Sequence, residues 1–347
     1  MSACRGTYAR ALLSGLGMLI IASSAACSSG DGAGHGVERT DGAVQLAEGD
    51  HRESLQNPCF SPEGDALAFT VFQQGYNDGP AGVYRTSFDE DATASSSREV
   101  LLFDDGQDAV NLPGSCWVEG RLVVSSDRGG RTGVWVLDPE DADSLEELSE
   151  PDGPGSAWEP SLAPDAGRVV FEAHREEDGS DPGDLYVADL ERVNTDALVV
   201  DDEYDDRQPN WSPDGAAVVF QRRRAGEDDW DLWIIEPDGE AQGSPGPAEQ
   251  LTDVGDATDA SWSPDGEALL FSAPGHDGIA HLWVLYIESG SVVQLTSDAE
   301  HGDGAASWSP DGSWIVFESY PVEHDGDGEP AGPASLWAIA APDAEHG

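Results

Sequence analysis

Short apolar runs alternate with tight turns along most of this chain, and one pattern returns. Residues 207–220 read RQPNWSPDGAAVVF, residues 258–271 read TDASWSPDGEALLF, and residues 304–317 read GAASWSPDGSWIVF. Fainter copies are NPCFSPEGDALAF at 57–69, PGSCWVEGRLVV at 113–124 and WEPSLAPDAGRVVF at 158–171. The turn proline or its equivalent falls at 62, 118, 164, 213, 264 and 310, which makes six units spaced 46 to 56 residues apart. Each unit predicts the same elements. A short strand enters the turn, where Pro presets φ, Asp bonds its own backbone and Gly takes the left-handed exit. An apolar strand leaves it, at 66–71, 121–126, 168–173, 217–221, 268–272 and 314–318. A third strand is marked by an aliphatic–aromatic pair: Val83-Tyr84, Val134-Trp135, Leu185-Tyr186, Leu232-Trp233, Leu282-Trp283 and Leu336-Trp337. A fourth ends many units, as in AEQLTD at 248–253 and VVQLTS at 292–297. No long stretch carries helical periodicity.

Four antiparallel strands repeated at this period predict the blades of a propeller: an all-β, six-bladed β-propeller. The last unit lacks a fourth strand, and AVQLAEGD at 43–50, ahead of the first unit, supplies one. An N-terminal strand completing the last blade would join the chain ends and cover a free sheet edge. Trp211, Trp262, Trp308 and the third-strand aromatics are expected to fill the space between blades.

These repeats resemble the TolB-type, WD40-like propeller repeat, strongly in the last three units and more loosely in the first three. The resemblance spans roughly residues 43–342. It implies a rigid propeller of the cell envelope; TolB itself carries an α/β domain ahead of its propeller, where only a tether precedes residue 43 here. The same repeat occurs in the propellers of prolyl-oligopeptidase-type proteases, whose hydrolase domain is not encoded in the few residues after Trp337.

The N-terminus changes the picture of where the protein works. Arg5 and Arg10 precede an apolar stretch at 11–21 that is short for a membrane span, then small residues and Cys27. This resembles a bacterial lipoprotein signal: residues 1–26 as signal peptide, Cys27 as the lipidated residue, 27–42 as a flexible tether, 43–342 as propeller and 343–347 as a tail. Ordinary cleavage with secretion is the alternative. Export implies an oxidising compartment, which leaves Cys59 and Cys116 as a possible disulfide. If Cys116 aligns with the Trp column, the two face each other across a blade interface; if Trp117 holds that column, both point the same way and no bond is expected.

Composition narrows the partners. The 347 residues hold 69 acidic and 16 basic side chains, every basic one Arg, for a net charge of −53; loss of the signal's two Arg takes it to −55. Such a charge opposes nucleic acid and anionic membrane surfaces, so no nucleic-acid partner is expected, and a monomer is.

Motifs of nucleophilic, phosphate-binding or zinc chemistry are missing, so no catalytic residue, cofactor or metal site is assigned. The eight His show no ligand spacing and read as solvated, the close pair His276 and His281 included. The run from His324 to Leu336 fails as a calcium loop, with Pro330 where Gly and Leu336 where Glu are needed. Meander geometry puts the strand 4–1 and 2–3 connections on one face. That loop face collects Asp104, Asp105 and Asp108, then Asp201, Asp202, Glu203, Asp205 and Asp206, then Asp253, Asp256, Asp259, Asp298 and Asp303, with a basic run at Arg222, Arg223 and Arg224. The sequence therefore reads as a non-enzymatic envelope lipoprotein, a platform for an envelope protein or a peptidoglycan-associated partner. The alternative is an enzyme or a small-ligand or cation binder at the central channel mouth, for which Arg207 and His301 are the nominated members.

Overall fold

A computed structural model describes residues 37–342, apart from 90–91, 93, 95–96, 104–109, 112–115, 129, 149–154, 177–178, 191–193, 239–244 and 324–329. Cys27, the signal segment, most of the tether, the tail at 343–347 and Asp104, Asp105 and Asp108 lie outside the described residues. No helix in the described part is long and apolar enough to cross a membrane.

Six antiparallel sheets form the propeller. Blade 1 is Ser54–Phe60, Ala66–Phe72, Ala81–Ser87 and Glu99–Phe103. Blade 2 is Arg121–Ser126, Gly133–Asp138 and Asp141–Glu147, with two short inner pieces, Val110–Asn111 and Trp117–Val118. Blades 3, 4 and 5 begin at Ser156–Leu162, Tyr204–Trp211 and Thr258–Trp262 and follow the same order. Blade 6 is His301–Trp308, Trp314–Pro321 and Ser335–Ala340, and its outer strand is Val44–Ala47 from the chain's beginning. Gln45 lies opposite Trp337, so the ring is closed by the N-terminal strand.

The second strands carry the core. Phe69, Phe171, Phe220, Phe271 and Phe317 occupy one repeat position and are fully buried. Val124 holds that position in blade 2. Each cluster crosses a blade boundary: Val170, Leu185 and Leu198 of blade 3 pack with Trp211, Phe220 and Ile235 of blade 4, and Leu67 of blade 1 with Val316 and Ala338 of blade 6. The tight turns also interlock. Gly215, Gly266, Gly312 and Gly64 adopt positive φ, and a Cβ at each would lie 3.3–3.5 Å from the ring of Pro164, Pro213, Pro264 and Pro310 in the preceding blade. The turn Asp accepts from the Ser hydroxyl and a backbone N–H, as Asp214 does from Ser212 Oγ and Ala216 N.

Closure involves an arginine as well as a strand. Trp211 and Trp308 share a repeat position, which makes Asp206 the counterpart of Asp303, and Arg222 that of Ser319. In blade 4, Arg222 binds Asp206 through Nε and Nη2 at 2.6 and 2.9 Å, over the rings of Phe220 and Trp233. In blade 6 the second strand offers only Ser319. Arg39 fills the place instead, binding Asp303 through both Nη atoms at 2.9 and 2.7 Å and Ser319 Oγ at 3.1 Å, over Phe317 and Trp337. The matching positions in blades 1, 3 and 5 are apolar pairs: Leu55 with Val71, Ala157 with Ala173, and Ala257 with Ala273. Within residues 37–42, expected as the end of a flexible tether, Arg39 is buried and the backbone turns on it, Gly42 N donating to Arg39 O and Arg39 N to Ala43 O.

Cys59 and Cys116 are disulfide-bonded between blades 1 and 2. The register puts Trp117, not Cys116, in the Trp column, because Trp117 faces Leu122 as Trp211 faces Val218. That is the alignment under which no bond was expected. The bond forms because inner strands converge near the axis, where the two Cα atoms are 6.5 Å apart, within disulfide reach.

Arg39→Met leaves Asp303 buried and unpaired and is expected to cost about 3–5 kcal/mol in urea unfolding. The Arg39→Met/Asp303→Asn double variant should recover part of that loss. Equal stability of wild type and Arg39→Met would show that the strand alone closes the ring.

Candidate functional site at the axial channel

The first strand of a blade lines the axis, and in five blades it carries the same irregularity. Asn57, Glu159, Gln208, Asp259 and Ala305 have φ between 45° and 55°, at a β-bulge in each strand. Left-handed φ at a non-glycine residue is strained, and a bulge releases a backbone N–H from the ladder. That N–H must find another acceptor, and the preceding blade provides one. Glu318 Oε2 accepts from Asn57 N at 3.0 Å, Ser125 Oγ from Glu159 N at 3.1 Å, and Glu172 Oε2 from Gln208 N at 2.8 Å. Gln208 Oε1 accepts from Asp259 N at 3.0 Å, and the Asp259 carboxylate from Ala305 N. The residue after the core Phe position is polar and buried in every blade: Thr70, Ser125, Glu172, Gln221, Ser272 and Glu318.

These links gather carboxyl groups at the axis. Burial, reinforced by Glu172, Asp259 and Glu318, pushes Glu159 up to about 8. Burial likewise pushes Glu318 up to about 7, although hydrogen bonds from Tyr76 and Asn57 favour its ionised form. Asp259 is raised by burial against bonds from Thr258, Gln208 and Ala305. Tyr76 donates to Glu318 Oε1 at 2.7 Å and packs against Tyr320, ring centres 5.1 Å apart. The cavity among Asn57, Glu159, Gln208, Asn210 and Asp259 measures about 20 Å³, room for about one water.

Toward the loop face, His174 and Arg207 meet this ring. His174 is buried, with Nε2 3.2 Å from Glu172 Oε1 and Nδ1 2.8 Å from the Asp181 carbonyl. Burial works against its charge, but the bond to Glu172 and that residue's charge outweigh it, so its pKa is raised. Arg207 Nε binds Asp205 Oδ1 at 2.8 Å, and Arg223 holds Asp205 Oδ2 at 3.2 and 2.9 Å. Both guanidinium groups lie over Trp230. Burial penalises the Asp205 charge, yet these bonds and that of Gly183 N bring its pKa below the usual range.

Of the nominated residues, Arg207 is therefore at the channel mouth. His301 is not: it pairs with Asp298 at 3.0 Å, beside Arg39. Of the basic run, Arg222 is buried on Asp206 and Arg223 pairs with Asp205 and the exposed Asp228, while Arg224 is exposed. Several acidic loop residues are structural: Asp205, Asp206 and Asp303 are buried in ion pairs, and Asp259 belongs to the channel. His281, read as solvated, is fully buried with Nε2 3.1 Å from Asp277, and His174 departs from that reading too. Glu159, Glu172, Glu318, His174 and Tyr76 were not singled out from sequence, although the polar residue after each core Phe was a visible signal for two of them. Among the described residues, no group of three His, Cys, Asp or Glu side chains is placed to hold a metal ion.

No family model matches the chain. It is 27% identical over 215 residues to an uncharacterised peptidase, YuxL, of Bacillus subtilis (strain 168), a match covering 50% of this chain and 31% of that protein. The chain thus spans about a third of that relative's length. Among solved structures it is similar to a putative TolB of Agrobacterium tumefaciens, with a TM-score of 0.55 at 18% identity over 84% of this chain and 91% of that one. The TolB of Acinetobacter baumannii gives 0.53 at 18% over 85% and 65%. An oligogalacturonate lyase of Vibrio parahaemolyticus gives 0.53 at 14% over 87% and 94%. The fold is that of the TolB-like six-bladed propellers. At these identities the likeness establishes the fold alone.

A carboxyl whose folded pKa is raised binds protons more tightly folded than unfolded. Its stabilisation is complete below about 4.5 and is lost as pH rises toward 8. Thermal unfolding of Glu159→Gln should match wild type at pH 5 and lie above it at pH 9. Parallel pH profiles for the two proteins would contradict this account of the channel.

Proposed function

We propose that the protein is a non-enzymatic envelope lipoprotein, held by lipid at Cys27, whose propeller is a monomeric platform for another envelope protein or a peptidoglycan-associated partner. The observation that carries this reading is the saturation of the axis. Its narrow cavity among Asn57, Glu159, Gln208 and Asp259 has room for about one water, and at its mouth Glu172 is engaged by His174 and Gln208 N, and Arg207 by Asp205. The binding capacity of the loop face then lies in its rim. There Val200 and Val254 are each 52% exposed on adjacent strand 4–1 connections, beside Asp201, Asp202 and Asp253. Apolar tips among acidic residues on a rigid ring suit a protein surface better than a small molecule. The net charge keeps copies of the chain apart and steers basic partners toward it. Likeness to TolB proteins supports an interaction role and an envelope location in general terms.

A second reading, a ligand-binding or catalytic channel mouth, is favoured by the convergence of Glu172, His174 and Arg207, and by the similarity to a peptidase and a lyase. It requires an occupant to displace the internal pairs of these residues.

Lipidation makes the full-length chain fractionate with membranes, and Cys27→Ser should move it to the soluble fraction with its fold intact; an unchanged distribution would remove the anchor. Photo-crosslinkers at Val200 and Val254 in cells should give one discrete adduct, lost on introducing Asp202→Arg together with Asp253→Arg. If neither position gives an adduct, or the adduct survives charge reversal, the loop face is not the platform.

A further inference from the structure

The loop face does not exhaust the surface. On the opposite face, where the Ser-Pro-Asp-Gly turns meet, the channel opens into a depression of about 200 Å³, several water volumes. Trp117, Trp211, Trp262 and Trp308 converge there, one from each of four blades, with Phe60 and Leu162 at the matching positions of the other two. Five turn prolines surround them, and no charged side chain lines the pit.

The rim is the reverse. Each turn carries an exposed acid one residue beyond its proline position: Glu63, Glu119, Asp165, Asp214, Asp265 and Asp311. Three of these are held ionised by their own turns. The Ser and backbone donors around Asp214, Asp265 and Asp311 keep those carboxyls below the usual range, Asp311 at about 2. An aromatic floor inside a ring of fixed negative charge is complementary to one chemistry: a cation on an apolar stem. Outside the pit, Trp211 already takes a cation on its ring, the Arg168 guanidinium at 4.6 Å. The indole N–H groups of Trp211 and Trp308 are buried without an acceptor in the protein.

We propose that this pit on the turn face is a docking site for a basic, apolar segment of a partner protein, a Lys or Arg side chain entering among the tryptophans with its charge at the acidic rim. The site is separate from the loop face, and its test does not depend on the reading given above. The probes are two synthetic peptides, acetyl-Leu-Lys-Leu-Lys-Leu-amide and its Glu counterpart, titrated into the propeller and followed by tryptophan emission and calorimetry. The Lys peptide should give a saturable change, weakened about tenfold by about 0.5 M NaCl, where screening shortens the reach of the rim charges to a few ångströms. Glu63→Arg with Glu119→Arg reverses two exposed rim charges and should weaken binding by a similar factor, with thermal unfolding confirming the fold. Val200→Glu with Val254→Glu, on the other face, should leave it unchanged. Equal binding of the Glu peptide, equal competition by spermine, or indifference to the rim reversal would each overturn the proposal.

Discussion

Everything in this molecule follows from the inability of a single four-stranded sheet to bury both of its faces. The core Phe of a second strand packs against the preceding blade and the Leu of a third strand against the following one, as Phe220 meets Leu185 and Phe271 meets Leu232. Such an arrangement is stable only when it has no free end. The N-terminal strand and Arg39 are therefore integral to the core. They put the first residues of the described chain into the blade that holds its last strand.

Arg39 and Arg222 show how the repeat manages substitution. A buried Asp at the start of the inner strand requires a guanidinium, and blade 4 takes it from its own second strand. Blade 6 carries Ser at that position, and the requirement is met from a segment more than 260 residues away in sequence. In blades 1, 3 and 5 the pair is replaced by two small or branched apolar residues, which satisfy the same space without charge.

The axis follows a second rule. Bulges in the inner strands expose backbone donors, and the donors recruit side-chain acceptors from the neighbouring blade. Glu318 and Asp259 among these acceptors, and Glu159 beside them, share one narrow channel, where burial, reinforced by neighbouring carboxylates at Glu159 and Glu318, raises their pKa values. The polar lining is thus a consequence of how the ring is stitched together. Chemistry on the two faces differs accordingly: at the loop face Arg207, Arg222 and His174 are held by internal pairs, whereas the turn face leaves an uncharged aromatic pit inside a ring of acids.

By itself the sequence determined the number of blades, the place of their strands and the closing strand, because a local alphabet recurs at a fixed spacing: Ser-Pro-Asp-Gly, an apolar run, an aliphatic–aromatic pair. Only the tertiary structure decided what happens between repeats. The Cys59–Cys116 bond depended on how closely inner strands approach the axis, which alternation along one strand does not encode. The roles of Arg39, Glu159 and His174 depended on partners in other blades or loops, and His281 was hidden by packing that no spacing announced. Repetition writes the covalent neighbourhood of every blade many times over, whereas the contacts across each boundary are made once.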